Sequence, residues 1–126
     1  MDKKRKTILI VDDEPSIRQS FADYFEDHQW QTFIAENGEH ALKILENESP
    51  QAAIIDIRLK GINGHTLIQK IYNFNPNMVF IICTGSPEYE YPENLDAFKS
   101  VSAHIFRKPV VNMAEMEQEL LRLMQI

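Results

Sequence analysis

Short, wholly apolar runs alternate with amphipathic stretches along this chain. Residues 7–11 (TILIV) are apolar or β-branched at every position, the pattern of a strand buried on both faces. Asp12, Asp13 and Glu14 stop the run, and Pro15 suits the first turn of a helix. Over residues 16–28, Ile17, Phe21, Tyr24 and Phe25 recur every three or four positions, which predicts an amphipathic helix. A second strand is expected over 31–35, and Asn37 and Gly38 break it. Ala41, Leu42 and Leu45 then line one face of a second helix, which Ser49 and Pro50 end. Residues 52–57 (AAIIDI) predict a third strand with one acid, Asp56, near its end. Gly61 and Gly64 punctuate the next loop, and Leu67, Ile68 and Ile71 mark a third helix.

The fourth strand is expected over 78–83 (MVFIIC), ending at Thr84 and Gly85, and the polar stretch 86–92 reads as a loop. A short fourth helix over 93–100, a fifth strand over 104–106 and a last helix over 112–124 complete the pattern. Asn112 is a sound N-cap for that helix, with Met113, Met116, Leu120 and Leu123 as its apolar stripe. Five such strands alternating with five helices imply an α/β fold, a parallel sheet covered by helices on both faces.

The polar residues fall at one kind of place. Asp12 and Asp13 follow the first strand, Asp56 closes the third, Thr84 follows the fourth and Lys108 follows the fifth. In an open parallel sheet the carboxyl ends of the strands share one edge, where ligands bind. Three carboxylates gathered there repel one another unless a cation sits among them. Hard oxygen ligands of this kind suit Mg²⁺, which binds through one or two carboxylates plus a phosphate. An Asp in such a site is also a nucleophile toward phosphorus, and phosphoryl transfer asks chiefly for positioning and charge stabilisation. Taken singly, Asp12 and Asp13 read equally well as helix-capping acids, Thr84 as a turn hydroxyl and Lys108 as a surface lysine. Their joint placement favours one site.

Composition narrows the class without naming it. A chain of 126 residues, 44% hydrophobic and 25% charged, suits one soluble domain. The formal net charge of −6 argues against direct binding to nucleic acid or an anionic membrane. No apolar run reaches the roughly 18 residues of a membrane span. Lys3, Lys4, Arg5 and Lys6 form a solubilising lead-in to the first strand, not a targeting signal. The single cysteine, Cys83, lies inside an apolar run and is expected to be a buried hydrophobe. A cytoplasmic location fits these features. His28, His40, His65 and His104 lack metal-ligand spacing and are expected at the surface or its boundary.

The segments ILIVDDE (8–14), IIDIRLKGINGHTLI (54–68), IICTG (81–85) and FRKPV (106–110) resemble the four signature stretches of the receiver domain of two-component response regulators. The resemblance covers nearly the whole chain. It implies the flavodoxin-like, doubly wound strand order 2-1-3-4-5, in one receiver domain over 1–126 with no output domain expected. It also implies that Asp56 is the phosphoacceptor, Asp13 a direct Mg²⁺ ligand and Asp12 a helper through water, with the backbone carbonyl of Arg58 completing the metal site. Thr84 and Lys108 would grip the phosphoryl group, and Lys108 and Pro109 would be joined by a cis peptide. The implied donor is a sensor histidine kinase or a histidine phosphotransfer domain. The output is then a changed surface for an unidentified downstream protein, in signalling and not in an enzyme's turnover. The face of the fourth helix, fifth strand and fifth helix is where a homodimer would form.

Three positions depart from the family pattern. Ile105 stands where an aromatic switch residue is usual, and its neighbour Phe106 faces the other side of a strand. The loop 86–92 is long and holds two prolines, and Lys60 stands where proline is common. Arg58, Ser86 and Pro87 border the expected site, where the Arg58 charge would influence water attack on an acyl phosphate. Two other readings compete. One is a phosphate-independent interaction module on the same fold, which the complete acidic cluster disfavours. The other is an aspartyl-nucleophile phosphohydrolase, disfavoured because Arg58 stands where the second Asp would be needed.

Overall fold

The computed structural model describes residues 5–89 and 100–125. Within them, β1 (Thr7–Val11), β2 (Gln31–Ala35), β3 (Ala52–Asp56), β4 (Val79–Thr84) and β5 (Phe106–Arg107) form one parallel sheet in the order β2-β1-β3-β4-β5. The helices are α1 (Pro15–Asp27), α2 (Gly38–Ile44), α3 (Gly64–Phe74) and α4 (Met113–Met124). No helix among the described residues is long and apolar enough to cross a membrane.

Strand alternation divides the core into two layers. Leu9, Val11, Ala53, Ile55, Phe80 and Ile82 face Leu67, Ile68 and Ile71 of α3 and Ala41 of α2. Ile8, Ile10, Ala52, Ile54, Val79 and Ile81 face Phe21 and Phe25 of α1 and Met116 and Leu120 of α4, with Trp30 in the same layer. Burial of β1, β3 and β4 on both faces explains why they read as unbroken apolar runs. Each buried Val, Leu, Ile, Phe or Met side chain in these layers contributes about 1.5–3 kcal/mol on leaving water. Cys83 belongs to the second layer, and burial pushes its thiol up to about 12, so it behaves as the buried hydrophobe expected.

Most expected elements are present with shifted ends. The second helix stops at Ile44 instead of reaching Ser49, because Glu46 and Asn47 donate to the carbonyls three residues back, Lys43 O and Ile44 O, and tighten the chain into turns. The third strand ends one residue early, at Asp56, and the fourth is displaced to include Thr84. The fifth strand begins at Phe106, not at residue 104. Ser102 causes this: its hydroxyl accepts the His104 N–H at 3.0 Å, folding residues 102–104 into a turn, and only Phe106 and Arg107 pair with Cys83 and Thr84. Four helices stand among the described residues where five were expected. The helix expected over 93–100 lies outside the described residues, apart from Ser100 in a turn.

Two contacts seat the sheet's carboxyl edge. Gly64, the first residue of α3, lies so close to the end of β3 that a Cβ there would sit 2.5 Å from Asp56 O and 2.8 Å from Ile57 Cα. Ser102, fully buried, donates to Glu119 of α4, and Arg122 also holds Glu119, at 2.7 and 2.8 Å, so the run into β5 is anchored on α4.

Two stability measurements follow from these contacts. Gly64→Ala forces backbone against backbone, and urea unfolding is expected to show a loss of about 1–3 kcal/mol. For Glu119, the Arg122 hydrogen bond holds the carboxyl below its ordinary 4.5. A lowered folded-state pKa contributes stability that is fully present above the unfolded value and lost as pH falls through the folded value. Glu119→Gln is therefore expected to flatten the acid limb of the stability profile below about pH 4.5, read by thermal unfolding across pH.

Candidate functional site

The carboxyl ends of β1, β3, β4 and β5 converge on a cleft of about 460 Å³ lined by Asp13, Glu14, Asp56, Arg58 and Lys108 together with residues 85–88. Asp12 lies beneath it at 2% exposure and Asp56 at 4%. Carboxylate oxygens of Asp12, Asp13 and Asp56 all lie within 4.8 Å of one another. Lys108 reaches in from the other side, with Nζ 2.8 Å from Asp12 Oδ2, 3.2 Å from Asp56 Oδ2 and 3.3 Å from Glu14 Oε1. Its peptide bond to Pro109 is cis, and its backbone N–H donates to Thr84 O at 2.8 Å.

Local geometry explains why these acids are not helix caps. Glu14 occupies the N-cap of α1 and makes no side-chain cap. Asp12 Oδ1 accepts the Glu14 N–H at 2.9 Å, and Arg18 Nη1 donates to Asp12 O at 2.7 Å, so the turn after β1 is held from within while Asp12 Oδ2 faces Lys108. Asp56 Oδ1 likewise accepts the Arg58 N–H at 3.1 Å, leaving Oδ2 toward Lys108. Each acid has one oxygen held by backbone and one aimed into the site.

The electrostatics follow from burial. Desolvation raises the Asp12 carboxyl above its ordinary 3.8, only partly countered by Lys108 and the Glu14 N–H, and the Asp56 charge raises it further. Burial alone would lower the Lys108 ammonium, yet the hydrogen bond and charge of Asp12 and the charge of Asp56 outweigh it and hold the ammonium above its usual range. Three carboxylates, those of Asp12, Glu14 and Asp56, thus share one ammonium, with Asp13 beside them and Arg58 lining the cleft. A cluster this acidic suits a divalent cation.

Of the residues singled out from sequence, Asp12, Asp13, Asp56 and Lys108 are brought together, and Arg58 lines the cleft. Thr84 is fully buried, with Oγ1 accepting the Ser86 N–H at 3.1 Å; it sits behind the cleft wall that Gly85 and Ser86 form. Sequence reasoning missed Glu14 as a Lys108 partner, because the two are 94 positions apart. Ser86, expected to border the site, does line the cleft, but the Arg107 guanidinium that donates to its carbonyl at 2.6 Å was missed. His65 was expected to be a plain boundary residue, but its ring bonds the Tyr89 hydroxyl.

Removing the ammonium leaves Asp12 and Asp56 facing each other with little water. Lys108→Ala is expected to cost about 1–3 kcal/mol in metal-free buffer. Chemical denaturation with a chelator present measures this, and unchanged stability would mean that the carboxylates are not held by Lys108.

With this geometry in hand, comparison with known proteins is informative. The family model of the response regulator receiver domain matches residues 8–121. The chain is 32% identical over 117 residues to a cyclic di-GMP phosphodiesterase of Thermotoga maritima, covering 93% of this chain and 29% of that protein. It is 34% identical over 83 residues to sporulation initiation phosphotransferase F of Bacillus subtilis, covering 66% of this chain and 67% of that one. Among solved structures, a CheY-like receiver domain from Methanospirillum hungatei superposes with a TM-score of 0.79 at 29% identity, covering 97% of this chain and 98% of the other. The response regulator TrrA of Thermotoga maritima, solved in complex with Mg²⁺ and BeF, gives 0.79 at 27% identity, with 94% and 98% covered. The chain spans under a third of the length of some curated relatives, 29% of one and 28% of another. With the family model matched over residues 8–121 and the fold shared with a solved receiver domain, the chain belongs to the response-regulator receiver-domain family.

Proposed function

We propose that this chain acts as a single receiver domain over residues 1–126, accepting a phosphoryl group on Asp56 in the cytoplasm and passing on the resulting change of surface. One observation carries the reading. Asp56 ends β3 in the open cleft with Lys108 Nζ at 3.2 Å and two further aspartates beside it. A nucleophilic carboxylate held by backbone on one oxygen and faced by a cation on the other is oriented for attack without further reorganisation.

The donor proposed is a phosphohistidine on a sensor kinase or histidine phosphotransfer domain. A carboxylate oxygen of Asp56 forms the bond to phosphorus as the phosphorus–nitrogen bond breaks, and the histidine nitrogen keeps the electron pair. Lys108 offsets charge on the transferred group, and Thr84 offers its hydroxyl once it turns toward a phosphoryl oxygen. Asp12, Asp13 and Asp56 have the oxygen donors and spacing for Mg²⁺, with the backbone carbonyl of Arg58 as a further ligand. When bound, that ion neutralises charge between the carboxylates and the incoming phosphoryl oxygens. TrrA, whose structure carries Mg²⁺ and BeF, supports this choice of ion. The downstream partner is a protein that reads the switched face, and a homodimer through the β5–α4 side is one form that this reading takes.

Incubation with Mg²⁺ and acetyl phosphate, followed by intact-mass measurement, is expected to add one phosphoryl group. The adduct should require Mg²⁺ and disappear in Asp56→Asn. A folded protein that neither binds Mg²⁺ nor gains mass would favour a phosphate-independent interaction module instead.

A further inference from the structure

The segment that follows Thr84 is tied down from several directions, and the ties begin at the phosphoacceptor cleft. Ser86 is 8% exposed, and each of its polar groups is engaged. Its N–H donates to Thr84 Oγ1 at 3.1 Å, its hydroxyl accepts from Arg58 Nη2 at 3.1 Å, and its carbonyl accepts from Arg107 Nη1 at 2.6 Å. Arg107 Nη2 also donates to Tyr89 O at 2.8 Å, so one guanidinium on β5, next to Lys108, holds both ends of the segment 86–89. Farther out, the Tyr89 hydroxyl and His65 Nε2 on α3 share a hydrogen bond, with ring centroids 5.4 Å apart. The Tyr89 ring packs against the same core layer as Ile105. Burial holds the His65 ring below its ordinary pKa, which favours the neutral imidazole this contact suits.

These ties connect the chemistry of Asp56 to the position of an aromatic ring. Arg58 bonds Asp56 through its N–H, Thr84 follows Cys83, the register partner of Asp56, and both Arg58 and Thr84 are bonded to Ser86. A phosphoryl dianion is a stronger acceptor for a guanidinium than a neutral hydroxyl is. Arg58 turning to it releases the Ser86 hydroxyl, and Thr84 turning to it draws on the Ser86 N–H. Arg107 resists that movement, because the Ser86 and Tyr89 carbonyls would have to leave its two N–H groups together. Phosphoryl binding and the Arg107 ties therefore oppose each other.

We propose that Arg107, Tyr89 and His65 form a latch that is closed when Asp56 is free and that a phosphoryl group on Asp56 opens, parting Tyr89 from His65. The inference rests on the reading of Asp56 as phosphoacceptor and adds the route by which its state reaches the surface. Arg107 acts here as a positioning residue. It is exposed, so its replacement removes the ties without disturbing the core.

Because coupling between two sites is reciprocal in binding free energy, an equilibrium phosphoryl mimic tests it directly. Beryllofluoride with Mg²⁺ would be titrated into the wild type, Arg107→Ala, Tyr89→Phe and Asp56→Asn. The Gly85 amide resonance reports the cleft, and the His65 ring resonance, identified by its loss in His65→Gln, reports the latch. Arg107→Ala is expected to bind the mimic about fivefold or more tightly, with its His65 resonance already moved toward the position seen in Tyr89→Phe. Saturating the wild type should move His65 the same way. If Gly85 titrates while His65 stays in place, or if Arg107→Ala binds no more tightly, the latch is wrong and the acceptor site stands. If the wild type shows no Asp56-dependent titration, both fall together.

Discussion

The contact between the Lys108 ammonium and the carboxylates of Asp12 and Asp56 is what makes the carboxyl edge of the sheet tenable. Acids at 2% and 4% exposure would repel each other strongly if left alone, and desolvation already raises Asp12. A cation between them relieves the repulsion, but only if β5 is held so that residue 108 faces β1 and β3. Much of the surrounding structure meets that condition. The Lys108 N–H is bonded to Thr84 O, and the Ser102–Glu119–Arg122 chain fastens the approach to β5 onto α4.

The same edge explains where close packing is strictest. Gly64 brings the start of α3 against the backbone of Asp56 and Ile57, so the positions of the helix and of Asp56 are one geometric fact. Gly64 N–H donates to Ile57 O at 3.1 Å, which closes the loop after β3 over a short span. On the opposite layer, Glu117 of α4 accepts from the Tyr24 hydroxyl at 2.9 Å and from Trp30 Nε1 at 2.7 Å, tying α4 to α1 and to the start of β2. A rigid frame on both faces leaves the loops at the carboxyl edge as the parts free to respond, the usual division between scaffold and function.

Among those loops, the one after β4 is unusual in its chemistry. Ile105, just before β5, offers no ring to the α3 layer, yet Tyr89 brings one to that layer from the loop and meets His65 on α3. Arginines on two different strand ends meet at Ser86, from Arg58 after β3 and Arg107 in β5. A residue in that position is bonded to both the cleft and the sheet edge.

Local pattern was enough to determine the alternation of elements among the described residues, the two-faced burial of β1, β3 and β4 and the placement of Asp12, Asp13, Asp56, Thr84 and Lys108 at strand ends. These depend on residues within a few positions of one another, where period and punctuation are physical signals. Asn112 could be read as a cap for that reason, and its side chain does accept the Glu115 N–H at 3.2 Å. Element ends were less legible: the tightened turns after Ile44 and the Ser102 turn that delays β5 each depend on hydrogen bonds that no propensity dictates. Only the tertiary structure decided which oxygen of each aspartate faces the cleft, that Glu14 shares Lys108, and that Arg107, Ser86, Tyr89 and His65 are linked. Those partners lie between 18 and 94 positions apart. Such a contact is set by how whole strands and helices stack, a property of the packed sheet that no local run of residues contains.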